Sequence, residues 1–237
     1  MAELEEDKCA SRGKLAGLKK KMVLIYLAAA VVIGLMFFVP AGTLDYWQAW
    51  LYGAVVLIPP IFVLLYFLKK DPEFLEKRMK TKEKENRQRL IIKIALVLFL
   101  ISFLIPGLDH RYHWSDVPVA LVLAADAIIL LSYALIFLVF RENHYASRVV
   151  EVQKGQKVIS TGPYAIIRHP MYLGTMLMYL FTPLALGSYW AVLPFFIMIL
   201  AVIIPRILNE EEVLRRDLPG YAEYCQKVRY RLIPHVW

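Results

Sequence analysis

Six apolar stretches constrain the fold of this chain more than any other feature of its sequence. Each contains 16 to 24 residues, and they lie at Met22–Val39, Trp47–Leu68, Leu90–Ile105, Val117–Phe140, Met171–Leu186 and Tyr189–Ile204. A helix of about 20 apolar residues crosses the hydrocarbon core of a bilayer. Hydrophobic residues make up 59% of the chain, compared with about 45–50% in an average soluble domain. The sequence therefore predicts an all-α integral membrane protein with about six transmembrane helices.

The lysine and arginine residues predict the orientation of these helices. If all six stretches cross the membrane, every one of the 28 Lys and Arg residues except Arg111 falls on the same side. Basic residues that flank transmembrane helices are enriched on the cytoplasmic side. We therefore expect a multi-pass protein with both termini in the cytoplasm. The net charge of +8 reflects this orientation, and no nucleic-acid partner is expected. Aromatic residues predict a belt at the opposite interface: Tyr46, Trp47, Trp50, Tyr112, Trp114, Tyr189 and Trp190.

The apolar pattern divides the chain into three regions. We expect residues 1–21 to form a basic cytoplasmic tail, residues 22–140 a four-helix transmembrane region, and residues 141–237 a third region that carries the polar motifs described below. The two cysteines, Cys9 and Cys225, fit neither a disulfide framework nor a zinc-binding spacing, and no metal site is expected. No internal repeat is visible, which argues against a transporter built from inverted halves.

The segment Thr161–Gly174 carries the first group of candidate functional residues. The Gly162–Pro163 pair predicts a turn, and Pro170 suits the first position of a helix. Arg168 and His169 therefore lie at a helix N-terminus, where free backbone donors and the helix dipole favour an anion. An ordinary anchor at the membrane interface is the alternative for each of these residues taken alone.

The segment Arg206–Leu218, directly after the last apolar stretch, carries three consecutive glutamates. Helical spacing places Glu210 on an apolar face, whereas Glu211 and Glu212 each face an arginine four residues further along. The latter pattern is typical of surface ion pairs. A carboxylate that faces an apolar interior near the membrane is a candidate functional residue. A plain ion pair between Glu210 and Arg206 is the alternative.

Together the two segments resemble the isoprenylcysteine carboxyl methyltransferases and their bacterial and archaeal relatives. The resemblance covers about Lys157–Pro234. Its residues are Gly162, Pro163, Tyr164, Arg168, His169, Pro170, Tyr172 and Gly174, followed by Glu210, Glu211, Leu214, Tyr221, Tyr224 and Pro234. It implies an integral-membrane methyltransferase that uses S-adenosylmethionine, releases S-adenosylhomocysteine and has a cytoplasmic active site.

The resemblance also implies roles for individual residues. The implied catalytic residues are Arg168, His169 and Glu210. The implied cofactor-binding residues are Gly162, Pro163, Tyr164, His169, Tyr172, Glu210, Glu211, Tyr221 and Tyr224. Glu211 therefore has two interpretations, because helical spacing predicts a surface pair and the resemblance predicts a cofactor ligand. We expect the ligand, since a helix end beside a cofactor can expose two adjacent side chains to it.

The chemistry of S-adenosylmethionine agrees with these residue types. A carboxylate accepts hydrogen bonds from the ribose or the amine, backbone donors near Gly162 and His169 suit the carboxylate of the cofactor, and tyrosine faces stabilise the sulfonium. The expected partners are membrane lipids and a lipophilic acceptor that enters from the bilayer. The acceptor is a small molecule or a lipid-linked group, and an isoprenylcysteine carboxylate, an isoprenoid and a lipid remain open. The oligomeric state also remains open.

Two other functions remain as alternatives. The sterol reductases that use NADPH also resemble the Arg168–Gly174 segment and the C-terminal tail, but the Glu pair and the short chain favour methyl transfer. The second alternative is a non-enzymatic scaffold or transport protein. Asp126, inside the fourth apolar stretch, is either a buried functional acid or a polar contact between helices.

Overall fold

The computed structural model describes residues 2–78, 86–147 and 149–237, without the side chains of 2–16, 18–19 and 86–91. In these ranges the chain is helical and contains no β-strand. The α-helices are α1 (Ala2–Ala41), α2 (Trp47–Lys70), α3 (Pro72–Arg78), α4 (Asn86–Tyr112), α5 (Val119–Glu142), α6 (Pro170–Ala185), α7 (Val192–Asp217) and α8 (Tyr221–Lys227). A short 3-10 helix, Gly162–Ala165, lies between α5 and α6. The predicted all-α membrane fold is confirmed.

Five helical segments are long and apolar enough to cross a membrane. They are Lys20–Ala41, Trp47–Lys70, Ile92–Tyr112, Val119–Glu142 and Val192–Asp217. The fifth predicted stretch forms α6, whose 16 residues reach about 24 Å at ~1.5 Å per residue. This length is shorter than the ~30 Å hydrocarbon core of a bilayer. The protein is an integral membrane protein, and the crossing by α6 stays a prediction.

Two predicted stretches end earlier than the helices that contain them. The third stretch ends at Ile105, but α4 continues through a Pro-Gly pair. The continuation packs against α1, since a Cβ on Gly107 would lie 2.8 Å from the carbonyl oxygen of Phe37. Likewise, α7 continues past Ile204 through a proline. The three consecutive glutamates therefore lie on the same helix as the last apolar stretch.

Close helix packing fixes the position of α6. This helix packs along α5 and also contacts α7, while α4 packs between α1 and α7. A Cβ on Gly174 would lie 2.7 Å from Cγ1 of Ile136 on α5. The two helices are therefore closer together than any residue other than glycine at position 174 would allow. Aromatic rings fill the shared core, with Phe37 and Tyr52 in edge contact at a centroid distance of 5.6 Å.

The aromatic residues at one end of the bundle divide into exposed and buried members. Trp47, Trp50, Tyr112, Trp114, Tyr189 and Trp190 are exposed, as an interfacial belt requires. Tyr46 is an exception, because it is buried and its hydroxyl donates to the carbonyl oxygens of Leu186 and Pro106. The prediction that Tyr46 belongs to the belt is therefore wrong. Its hydroxyl satisfies one carbonyl inside α4 and one directly after the end of α6, which makes it a core residue.

Asp126 is buried in α5 within the membrane-spanning part of the bundle. Neither of its carboxylate oxygens has a hydrogen-bond partner among the described residues. Asp126 therefore makes no hydrogen bond to another helix in the described part of the chain, although the sequence left a polar contact between helices open. Its functional role stays a hypothesis.

Candidate active site

An open cleft lies at the end of the bundle where α5 ends, α6 begins and α7 leads into α8. The empty space in it, including open solvent, is about 860 Å³. We call this the basic end, because Arg141, Arg168 and Arg206 lie there. The outer wall of the cleft comes from the loop that follows α5, including Tyr145, Val150 and Val158. Its other walls come from α6, α7 and α8. The cleft therefore joins parts of the chain that lie far apart in sequence.

The C-terminal tail holds the segment before α6 in place. The backbone N–H groups of Arg168 and His169 donate to the carbonyl oxygens of Tyr230 and Arg231, each at 2.9 Å. Pro170 follows and has no N–H group. The backbone N–H of His169 is therefore already satisfied by the tail, and the expectation that backbone donors near Gly162 and His169 bind the carboxylate of the cofactor stays a prediction.

Arg168 is a buried cation with a buried counter-charge. Its exposed fraction is 7% and that of Glu211 is 3%, and its Nε donates to Oε1 of Glu211 at 2.7 Å. Its Nη1 also donates to the carbonyl oxygens of Val228 and Arg229. A buried ion pair needs this kind of additional hydrogen bonding, because both charges lose their hydration. The pair fixes the tail against α7.

Glu211 does not point outward, which corrects the prediction from helical spacing. The expected neighbour Arg215 does lie near it, with an N···O distance of 3.9 Å. However, its closer partners are Arg168, Nε2 of His169 at 3.3 Å and Nε of Arg231 at 3.0 Å. These partners belong to the segment before α6 and to the C-terminal tail. The residue pattern within α7 therefore does not predict them.

Glu210 lies at the wall of the cleft, as its position on the apolar face predicts. It is half-buried, and one of its carboxylate oxygens accepts a hydrogen bond from the Tyr172 hydroxyl at 2.6 Å. The same hydroxyl accepts a hydrogen bond from Nε of Arg206 at 2.9 Å. Arg206 and Glu210 are thus linked through a tyrosine, which orients the carboxylate beside the cleft.

Three further tyrosines line the cleft. Burial raises the pKa of Tyr164 to about 12, and it raises the pKa values of Tyr221 and Tyr224 above the usual range. All three are therefore neutral hydrogen-bond donors at physiological pH. The Tyr224 hydroxyl donates to the carbonyl oxygen of Tyr164 at 2.7 Å. The Tyr221 hydroxyl is buried and has no partner among the described residues.

Most of the candidate residues line the cleft, and three of them do not. Those that line the cleft are Tyr164, Arg168, His169, Tyr172, Glu210, Tyr221 and Tyr224. Glu211, Gly162 and Pro163 do not line it. Gly162 has a backbone φ of +55° and starts the 3-10 helix, so its visible role is to form the predicted turn.

Sequence reasoning missed three residues at this site. The side-chain amide of Asn143 donates to the Tyr164 hydroxyl at 2.9 Å and lines the cleft. Arg231 contacts Glu211, as described above, and Arg78 reaches the rim of the cleft from α3. No local pattern distinguishes these side chains from ordinary polar residues, because each reaches the site only through tertiary contacts.

Comparisons with known proteins relate this arrangement to membrane enzymes. Residues 120–219 match the family described as PEMT, phospholipid methyltransferase. The Delta(14)-sterol reductase TM7SF2 of Mus musculus is 33% identical over 86 residues, which are 35% of this chain and 20% of the reductase. The solved structure of the eukaryotic intramembrane Ras methyltransferase ICMT (isoprenylcysteine carboxyl methyltransferase) matches with a TM-score of 0.55 and 18% identity. That match covers 90% of this chain and 76% of the ICMT chain.

The two methyltransferase matches extend further along this chain than the reductase match. The chain spans only a fifth of the length of the curated sterol reductase. In contrast, the match to the ICMT structure covers nine tenths of this chain. At 18% identity this structural match establishes the fold. The resemblance to the isoprenylcysteine carboxyl methyltransferases that the sequence predicts is therefore confirmed, by the phospholipid methyltransferase match at residues 120–219 and by the fold.

Proposed function

We propose that this protein is an integral-membrane methyltransferase that transfers a methyl group from S-adenosylmethionine to a lipophilic acceptor at the cytoplasmic boundary of the membrane. The observation that supports this function best is the cleft at the basic end. In it, Glu210 and the tyrosines of the methyltransferase-like segments converge from three different α-helices and the short 3-10 helix. Residues 141–237 are the proposed catalytic region.

The residues around the cleft fit the proposed cofactor. The cleft offers a carboxylate acceptor at Glu210 and a buried Tyr221 hydroxyl without a partner among the described residues. A ribose and an amino group supply donors for the carboxylate, and a buried hydroxyl without a partner is costly unless a ligand binds it.

When bound, S-adenosylmethionine supplies a methyl group activated by a sulfonium. The protein contributes position and electrostatics. In this proposal, Glu210 binds donor groups of the cofactor, and the faces of Tyr164, Tyr221 and Tyr224 surround its positive charge. Arg168 and His169 form the wall beside α6, where Glu211 holds both side chains. Rigid placement of this kind lowers the entropic cost of bringing two substrates together.

A second cavity supports a lipophilic acceptor. It lies between α4, α6 and α7, where Phe99, Tyr179, Met198 and Ile203 line it. Ile203 lies about one helical turn before Arg206, which lines the main cleft. We propose that the acceptor approaches from this side. An acceptor carboxylate needs no general base, whereas an amine or a phenol would need one, and His169 lines the cleft in a suitable position.

Cofactor titration tests this function against its closest alternative. The partial match to a sterol reductase keeps an enzyme that uses NADPH as the second candidate. Purified protein in detergent is titrated with S-adenosylhomocysteine and separately with NADPH, and heat of binding is measured. We expect saturable binding of S-adenosylhomocysteine alone. Saturable binding of NADPH without S-adenosylhomocysteine binding would show that the reductase alternative is correct.

The acceptor is then identified by transfer of a label. A lipid extract is incubated with the protein and S-adenosylmethionine that carries an isotopically labelled methyl group, and the lipids are analysed by mass spectrometry. The Glu210→Gln variant is the negative control, because it keeps the size of the side chain and removes its charge. A labelled product that forms with the original protein and not with this variant is the acceptor.

A further inference from the structure

The helix α3 lies between the second apolar helix and the rim of the cleft. Phe74 and Leu75 on α3 are buried, and the Phe74 ring packs against Phe67 of α2 and Phe140 of α5 at centroid distances of 4.7 and 5.4 Å. The carboxylate of Asp71 accepts a hydrogen bond from the backbone N–H of Phe74 at 3.0 Å. These contacts fix the orientation of α3, and with it the position of its last residue.

That last residue, Arg78, extends from α3 to the rim of the cleft. Its guanidinium lies 4.4 Å from the centroid of the Phe140 ring. Its Nη1 contacts the carbonyl oxygen of Ala146 at 3.3 Å and the sulfur of Met171 at 3.7 Å. Ala146 and Met171 both line the cleft. The arginine is thus held at the edge of the cleft where α6 begins.

The charge of Arg78 also acts inside the cleft. Burial raises the pKa of Tyr164, and the positive charge of Arg78 acts in the opposite direction on the same phenol. Lys69 and Lys70 in the last turn of α2 add positive charge at this end of the bundle. A guanidinium is planar and matches the geometry of a carboxylate or a phosphate. This rim is therefore suited to an anionic headgroup that approaches from the membrane.

We propose that Arg78 is a specificity-determining residue that binds the anionic headgroup, a carboxylate or a phosphate, of the lipophilic acceptor at the mouth of the cleft. This inference rests on the proposed function, and it narrows the acceptor to amphiphiles with a negative charge. Arg78 contacts the headgroup and takes no part in binding the methyl donor. Because α3 has a fixed position, Arg78 selects acceptors by the place of their charge. An acceptor whose negative charge binds Arg78 presents its headgroup to the cleft.

Binding of defined amphiphiles tests the role of Arg78. The protein is placed in nanodiscs of phosphatidylcholine, and two pairs of probes are titrated. The carboxylate pair is N-acetyl-S-farnesylcysteine and its carboxamide, and the phosphate pair is dioctanoyl phosphatidic acid and dioctanoylglycerol. The Arg78→Gln variant is compared with Arg78→Lys, which keeps the charge, and with Lys77→Gln. Lys77 is a matched control, because it lies on the same helix and pairs with Glu73 at 3.5 Å.

We expect Arg78→Gln to weaken binding of at least one anionic probe about tenfold, the effect of losing one charge-assisted hydrogen bond. Arg78→Lys should recover part of this loss, and Lys77→Gln should have no effect. Neutral probes should bind equally to all variants. A loss in only one pair identifies the headgroup as a carboxylate or a phosphate. Equal losses for anionic and neutral probes, or no loss for either anionic probe, would overturn the inference.

Titration with S-adenosylhomocysteine separates this inference from the proposed function. Its affinity should be the same in Arg78→Gln and in the original protein. If the original protein binds S-adenosylhomocysteine but its affinity for anionic probes does not depend on Arg78, the proposed function stands and the inference is wrong. If S-adenosylhomocysteine does not bind at all, the proposed function fails, and with it the assignment of the Arg78 ligand as a methyl acceptor.

Discussion

At the scale of single residues, the two neighbouring glutamates of α7 have different environments. Glu211 is buried and contacts three cationic or titratable side chains, Arg168, His169 and Arg231. Glu210 is half-buried, lines the cleft and accepts a hydrogen bond from Tyr172. We therefore propose that Glu211 is a positioning residue, which acts through Arg168 and His169, and that Glu210 is the glutamate that contacts the cofactor.

Replacing each glutamate of the triplet by glutamine separates these roles. Glu210→Gln should reduce affinity for S-adenosylhomocysteine about ten- to hundredfold, since a charge-assisted hydrogen bond contributes about 1.5–3 kcal/mol. Glu211→Gln should destabilise the protein by about 3–5 kcal/mol, because Arg168 stays buried without its counter-charge. Glu212 is exposed, so Glu212→Gln should cost at most about 0.5 kcal/mol. Thermal unfolding in detergent and calorimetric titration measure the two effects.

The glutamine series also has a result that contradicts this assignment. A Glu211→Gln variant that unfolds at the original temperature and loses as much affinity as Glu210→Gln would show that Glu211 contacts the cofactor directly. The Glu212→Gln variant is the matched control, because it changes the same side chain on the same helix. If Glu212→Gln is the most damaging of the three, the site lies on another face of α7.

At the scale of helices, the position of the site depends on how closely α6 approaches α5. Gly174 lies one turn after the start of α6, and a Cβ there would meet Ile136 of α5 at 2.7 Å and the carbonyl oxygen of Ser132 at 3.3 Å. The same helix carries Tyr172 and begins directly after His169. A displacement of α6 would therefore move two side chains that line the cleft.

We expect Gly174→Ala to destabilise the protein by about 1–3 kcal/mol, which is the usual cost of overpacking a core. It should also weaken S-adenosylhomocysteine binding. The control is Gly53→Ala in α2, where a Cβ would meet nothing within 4 Å. That change should leave stability the same or slightly higher, because alanine favours a helix more than glycine does. Thermal unfolding of both variants checks the prediction, and equal stability for both would contradict it.

At the scale of the whole molecule, the distribution of charge predicts the orientation in the membrane. The test uses a chain in which Cys9 and Cys225 are replaced by serine. Trp114→Cys should react with a membrane-impermeant thiol reagent on intact cells, since Trp114 is exposed at the aromatic end. Lys154→Cys, in the exposed part of the loop after α5, should react only after permeabilisation. The opposite labelling pattern would reject a cytoplasmic active site.

The sequence by itself determined the class of the protein and several of the residues that line the cleft. Apolar length predicts membrane helices because unpaired backbone groups are not tolerated in lipid. The two methyltransferase-like segments identify Tyr164, His169, Tyr172 and Glu210 without any coordinates, and the structure brings them together around one cleft. These features are encoded locally, in composition and in short motifs.

Only the tertiary structure decided which glutamate is buried, where α4 and α7 end, and which residues complete the site. Helical spacing turns Glu211 outward, but the C-terminal tail covers that face and supplies Arg231, while Arg168 comes from the segment before α6. In the same way, Arg78 reaches the cleft only because α3 is fixed against α2 and α5. The partners of a buried charge lie far away in sequence. Their positions therefore depend on how the helices and the C-terminal tail pack, and a short stretch of sequence does not predict this packing.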